Sequence, residues 1–155
     1  FQDIEWTPER AEADVAAPLT PLGEAMREIH PEFVAVAEQL QPLTSLAVYL
    51  SGRGVAGWHI DVLPAEAPFR VDPPFDPGQD KGVLWGYFGS TDEVSHALVV
   101  NMDHGQEIRT TVIGTTALEE FDPQARQWQP VADGSRAQIN LVAGGGRLLR
   151  FKENP

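Results

Sequence analysis

Two apolar runs separated by a short polar break dominate the middle of the chain. Gly82–Gly89 reads Gly-Val-Leu-Trp-Gly-Tyr-Phe-Gly, the break falls at Ser90–Glu93, and Val94–Asp103 reads Val-Ser-His-Ala-Leu-Val-Val-Asn-Met-Asp. β-Branched and aromatic runs around a Gly/Ser/Asp turn predict a hairpin. The second run is apolar on both faces, with Val94, Leu98 and Val100 on one and Ala97 and Val99 on the other. A strand covered on both sides belongs inside a sheet.

Earlier in the chain the period changes. Leu19, Leu22, Met26, Ile29, Phe33, Val36 and Leu40 recur at intervals of three and four, one apolar stripe on an amphipathic helix. Thr20 is placed to cap that helix and Pro21 to open it. Pro31 predicts a kink or short break near His30. The stripe needs a cover, either this chain's own sheet or a neighbouring domain. Phe1–Ala17, acidic and rich in Ala, reads as a lead-in arm.

After Pro42 the pattern is β. Ser45–Leu50 reads as a strand stopped by Gly52 and Gly54, and Trp58–Val62 alternates weakly. Residues 63–81 carry Pro64, Pro68, Pro73, Pro74 and Pro77 with little periodicity, which predicts a wrap-around linker or functional loop. Beyond the central hairpin, Gln106–Ile113, Ala117–Phe121, Arg126–Val131, Ala137–Val142 and Arg147–Phe151 follow one another with turn signals between them. The expectation is a mainly β chain: an antiparallel sandwich of seven or eight strands over residues 44–155, preceded by an arm and one amphipathic helix over residues 1–43.

Composition narrows the partners. With 155 residues the chain buries enough surface to fold without staples. No cysteine is present, which removes disulfides and thiolate chemistry; this leans toward the cytosol and leaves export open. A formal net charge of −12 argues against nucleic acid and against an anionic membrane surface. No apolar run approaches the ~20 residues of a membrane span. The chain starts at Phe1 with no Met before Met26, as expected of a piece of something longer.

Few residues announce chemistry. His30, His59, His96 and His104 lie far apart, and metal sites normally show closer spacing, so no metal and no cofactor is expected. Asp72, Asp76 and Asp80 recur in the Pro-rich stretch without the glycine placement of a calcium loop. Ser51, Ser90, Ser95 and Ser135 lack a nucleophile elbow, and Gly144–Gly146 runs into a strand, where it makes a turn rather than a phosphate cradle. No pair of carboxylates is marked out for glycoside chemistry. Trp58, Trp85 and Trp128 are the candidate sugar-stacking surfaces, set against the ordinary alternative that they and Tyr87 fill the core.

Four stretches in order resemble the tail of TIM-barrel glycoside hydrolases that carry a C-terminal β-sandwich. Thr20-Pro-Leu-Gly through Leu40-Gln-Pro-Leu-Thr-Ser-Leu-Ala-Val-Tyr49 resembles their last barrel helix and its exit. Ala97-Leu-Val-Val-Asn101-Met-Asp103 resembles a buried strand ending in Asn, and Leu118-Glu-Glu-Phe-Asp122-Pro through Trp128 the strand and turn that follow. Ile139-Asn-Leu-Val-Ala-Gly-Gly-Gly146-Arg-Leu-Leu-Arg-Phe151 resembles the closing hairpin, with a third glycine where a polar residue is commoner. His30-Pro31 inside the helix also departs from the pattern, and residues 53–80 match poorly. In that family the catalytic glutamates lie on barrel strands upstream, so no catalytic residue is carried over here. The resemblance implies a non-catalytic accessory domain that stabilises or helps assemble a carbohydrate-active enzyme, its partner the upstream barrel. A carbohydrate-binding module using surface aromatics is the alternative. A second copy, meeting through the Leu22–Leu40 helix face, is the other partner to consider.

Overall fold

The computed structural model describes residues 20–53, 57, 59–75 and 81–152. Among the described residues one helix, α1 (Pro21–Leu40), packs on the larger of two sheets built from ten strands: β1 (Thr44–Gly52), β2 (Asp61–Val62), β3 (Phe69–Val71), β4 (Gly82–Ser90), β5 (Glu93–Asn101), β6 (Ile108–Gly114), β7 (Leu118–Asp122), β8 (Gln127–Pro130), β9 (Arg136–Leu141) and β10 (Gly146–Phe151). The seven-stranded sheet runs β2-β1-β4-β5-β10-β7-β8 and the three-stranded sheet β3-β6-β9. All pairs are antiparallel except β1 with β2. The protein is thus the mainly β sandwich with one N-terminal helix that its patterning predicts.

The central hairpin forms as expected, and β5 lies between β4 and β10 in the interior of its sheet. Its two faces are sorted differently from simple alternation. Ala97 and Val99 are fully buried between the sheets, and Leu98 joins the cluster under α1. Val94, of the same parity as Leu98, packs inward instead. The register slips between Phe88 and Gly89, where Phe88 faces His96 but Gly89 faces Val94. The extra residue of that bulge turns Val94 to the other side.

The core between the sheets holds Trp85, Tyr87, Phe69, Ile108, Leu118, Leu141 and Leu149, each at most 2% exposed. Each side chain of this size stabilises the fold by roughly 2–3 kcal/mol on leaving water. Phe69 and Val71 correct the reading of the Pro-rich stretch: Phe69–Val71 is an edge strand of the second sheet, paired with β6, and Ala67 is buried beside it. Three residues between prolines are too few to show a period of two. The strand expected at Trp58–Val62 shrinks to Asp61–Val62, paired in parallel with Tyr49 and Leu50; Trp58 lies outside the described residues.

Helix α1 starts as predicted, with the Gly23 N–H donating to Thr20 Oγ1 at 3.1 Å and Pro21 in the first turn. No break follows at Pro31: the helix is continuous through it. The docking of α1 is the main departure from expectation. Ala35, Val36 and Leu40 pack on Phe121, Leu148, Leu98 and Trp128, and Gln39 bonds Trp128. At 3.6 residues per turn, these contacts centre roughly 90° away from Leu22, Met26, Ile29 and Phe33. Those four remain 72, 54, 60 and 67% exposed. The helix therefore rests on its small and polar flank, with only the C-terminal end of its apolar stripe against the sheet.

Candidate functional site

None of the described tryptophans offers a free ring face. Trp85 is fully buried, and its Nε1–H donates to Ser51 Oγ at 3.0 Å. It is corrected from sugar platform to core residue, because β4 turns it and Tyr87 toward the second sheet. Tyr87 donates its hydroxyl to the Phe69 carbonyl, and burial pushes its pKa well above the ordinary tyrosine value. Trp128 sits between sheet and helix. Arg150 lies 4.3 Å over its ring, Phe121 and His96 pack at 5.2 and 5.5 Å between centroids, and its Nε1–H donates to Gln39 Oε1 at 3.0 Å. That ring is used to hold α1. The third candidate, Trp58, lies outside the described residues.

The candidate ligating residues do not converge. Among the described residues, no three His, Asp or Glu side chains group to hold a metal. His30, His59 and His104 are exposed, and His96 Nδ1 is 2.8 Å from Ser95 Oγ. Asp72 pairs with Arg136 at 2.6 Å, while Asp76 and Asp80 fall outside the described residues. Asp103 Oδ1 accepts the N–H groups of Gly105 and Gln106, closing the turn before β6.

The most site-like concavity is one that sequence patterning did not single out. A cleft of about 620 Å³ opens between β7–β8, at the end of the large sheet, and β9, at the edge of the small one. Its floor comes from inward-facing positions of the large sheet. Glu120 lies opposite buried Leu149, Gln129 opposite Glu120, and Arg147 opposite buried Val99. Further along the sheet, inward positions are apolar and covered by β6 and β9; here they turn polar. Arg147 Nε approaches Glu120 Oε1 at 3.3 Å. Desolvation raises the Glu120 pKa, Arg147 pulls it back, and Asp122 adds to the rise. A carboxyl perturbed by burial in a cleft is a marker of functional sites.

Asp122 is held by structural bonds. Its Oδ1 accepts from the Gln124 and Ala125 N–H groups, and its Oδ2 from Gln129 Nε2 at 3.2 Å. The cleft thus presents one half-buried acid–base pair, a capped aspartate and several amides. The sequence signal for it was the Glu119-Glu120 and Arg147 charges inside strand patterns, whose facing is decided only by register.

A shallower hollow of about 450 Å³ lies on the outer face of the small sheet, between Arg109–Thr111 and Gln138–Asn140. Arg109 there pairs with Glu107 at 2.8 Å. Compared with known protein families, curated proteins and solved structures, the chain matches none. No helix among the described residues is long and apolar enough to cross a membrane.

Proposed function

We propose that this chain is a non-catalytic accessory domain of a glycoside-hydrolase-like protein, and that α1 is its docking element for the barrel preceding it. The observation that carries this reading is the side-on seat of the helix. Leu22, Met26, Ile29 and Phe33 form an apolar row in water, while the neighbouring flank of the helix is the one seated on the sheet. That flank carries specific polar anchors, Trp128 to Gln39, Arg126 to Glu38, and Gln124 to Glu32 at 3.0 Å. On the same face of the sheet Val48, in the cross-strand row Leu148, Leu98, Gly86 and Val48, is 48% exposed beyond the part that α1 covers. Leu22 and Met26 lie at the N-terminal end of α1, the side on which this reading puts the barrel.

Two measurements test this. Incubated with a panel of aryl glycosides, the purified chain is expected to release no chromophore above background; turnover would overturn the reading. In sedimentation at high concentration a monomer is expected. A dimer abolished by Phe33→Glu would assign the row to a second copy instead.

A further inference from the structure

The cleft opens from the inner face of the large sheet; α1 reaches it only through Glu32, held by Gln124, and none of Leu22, Met26, Ile29 and Phe33 lines it, so its ligand is a separate question from what covers that apolar row. Its size falls within the ~300–1,000 Å³ of small-molecule sites. Its chemistry is mixed. The carboxylate of Glu120 accepts, the guanidinium of Arg147 donates, and the amide of Gln129 does both, all from inward-facing strand positions. Groups that both donate and accept at short spacing are what such a wall satisfies, and vicinal hydroxyls are that kind of group. Four carboxylates (Glu32, Glu120, Asp122 and Asp133) line it against two guanidiniums, a balance that repels phosphates and carboxylates. Arg136 is further engaged by Asp72 and Arg147 by Glu120, leaving no guanidinium pair for bidentate anion capture. Of the apolar lining, Phe121 and Ala137 are buried, and Pro123, Pro130, Val131 and Ala132 are flat or compact surfaces suited to the C–H face of a ring rather than to an acyl chain.

We propose that this cleft binds a neutral, polyhydroxylated ligand of mono- or disaccharide size, between β7–β8 and β9. Recognition runs through Glu120, Arg147 and Gln129, without the aromatic platform that the tryptophans suggested. Glu120 is the acceptor held ready for it. Its partial desolvation and its bond from Arg147 orient the carboxylate before a hydroxyl arrives, the kind of preorganisation that lowers the cost of binding.

The test is a two-dimensional amide NMR titration of the whole chain with glucose, galactose, mannose, xylose, maltose and cellobiose. At least one sugar is expected to give saturable millimolar shifts on residues of β7, β8 and β9. Gln129→Ala, at an exposed strand position, is expected to keep the spectrum of the folded chain and weaken that binding about tenfold, with Arg147→Gln doing the same. No saturable shift with any of the six sugars, or shifts confined to another face, would overturn the proposal. So would tighter occupation of the cleft by inorganic phosphate or by spermidine. None of these outcomes bears on the exposed row Leu22, Met26, Ile29 and Phe33, which does not line the cleft and is tested by sedimentation.

Discussion

Gln39 accepts a hydrogen bond from the Trp128 indole at 3.0 Å, joining the last turn of α1 to the edge strand of the large sheet. With Arg150 over the ring and Phe121 beneath the helix, this contact does for α1 what an apolar stripe does for most surface helices. Trp128→Ala is expected to cost about 3 kcal/mol and to remove amide protection across Val36–Leu40. Trp128→Phe keeps the stacking and loses the N–H, for about 1 kcal/mol. A loss below about 0.5 kcal/mol for the alanine variant, typical of free surface positions, would mean that α1 is held elsewhere.

Asn101 ends β5 with its side chain buried, 2% exposed. Its Nδ2 donates to the carbonyls of Gln106, Leu141 and Val142 at 2.7, 3.3 and 3.1 Å, and its Oδ1 accepts the Asp103 N–H. One amide ties the β5–β6 turn to the β9–β10 turn. Asn101→Asp puts a carboxylate against three carbonyl oxygens with almost no volume change. Denaturant unfolding at neutral pH should show a loss of about 3 kcal/mol or more, partly recovered in acid as the carboxyl regains a proton. Equal stability at both pH values would refute this role.

Ser51 and Trp85 are both buried and satisfy one another across β1 and β4. Ser51→Ala leaves the indole N–H without an acceptor in a dry site and should lower stability by about 1–3 kcal/mol. Ser51→Thr keeps the hydroxyl and should restore most of it. If alanine proves neutral in thermal unfolding, the hydrogen bond contributes nothing net.

Gly89 sits where the β4–β5 ladder slips, and a Cβ there would meet the Glu93 carbonyl oxygen at 1.8 Å. Backbone, not a flexible side chain, blocks it. Gly89→Ala should therefore cost about 2–4 kcal/mol, measured as a shifted denaturant midpoint with unchanged slope. Gly134, which has open space around its Cβ position, gives a smaller loss that reflects only its φ of 63°.

Much of the architecture was legible because long elements carry their period openly: seven apolar positions at helical spacing, and strands set off by Gly, Asp-Gly and Asp-Pro turns. Phe69–Val71 was not, since three residues between prolines show no alternation. Nor was the facing of Val94, which a one-residue bulge reverses. The stripe of α1 could be read, but its direction could not, because Ala35 and Gln39 are unremarkable until Phe121 and Trp128 arrive beside them. The cleft was hidden for a related reason. Glu119 and Glu120 are adjacent in sequence, yet Glu119 pairs with Arg150 at 2.7 Å on the α1 side while Glu120 faces inward. Only the pairing of β7 with β10 decides which glutamate enters the mouth of the sandwich. Trp85 and Trp128, conspicuous as residue types, were already committed to packing.

Glu120 also makes stability depend on pH in a direction opposite to that of most salt-bridged acids. Its carboxyl is raised above the ordinary value of 4.5, chiefly by desolvation, with Arg147 opposing and Asp122 adding to the rise. The folded state therefore holds this proton more tightly than the unfolded chain does. The resulting stabilisation is complete below the unfolded pKa and disappears as pH rises through the folded one. Glu120→Gln, which mimics the protonated form, removes that loss. Unfolding free energies of the two proteins should lie close together near about pH 4, with the variant gaining on the wild type toward about pH 7. The difference between the two curves isolates Glu120 from the other titrating carboxyls. A difference that stays flat, or that favours the wild type as pH rises, would mean that Arg147 outweighs burial and that the cleft holds its glutamate as an ordinary ion pair.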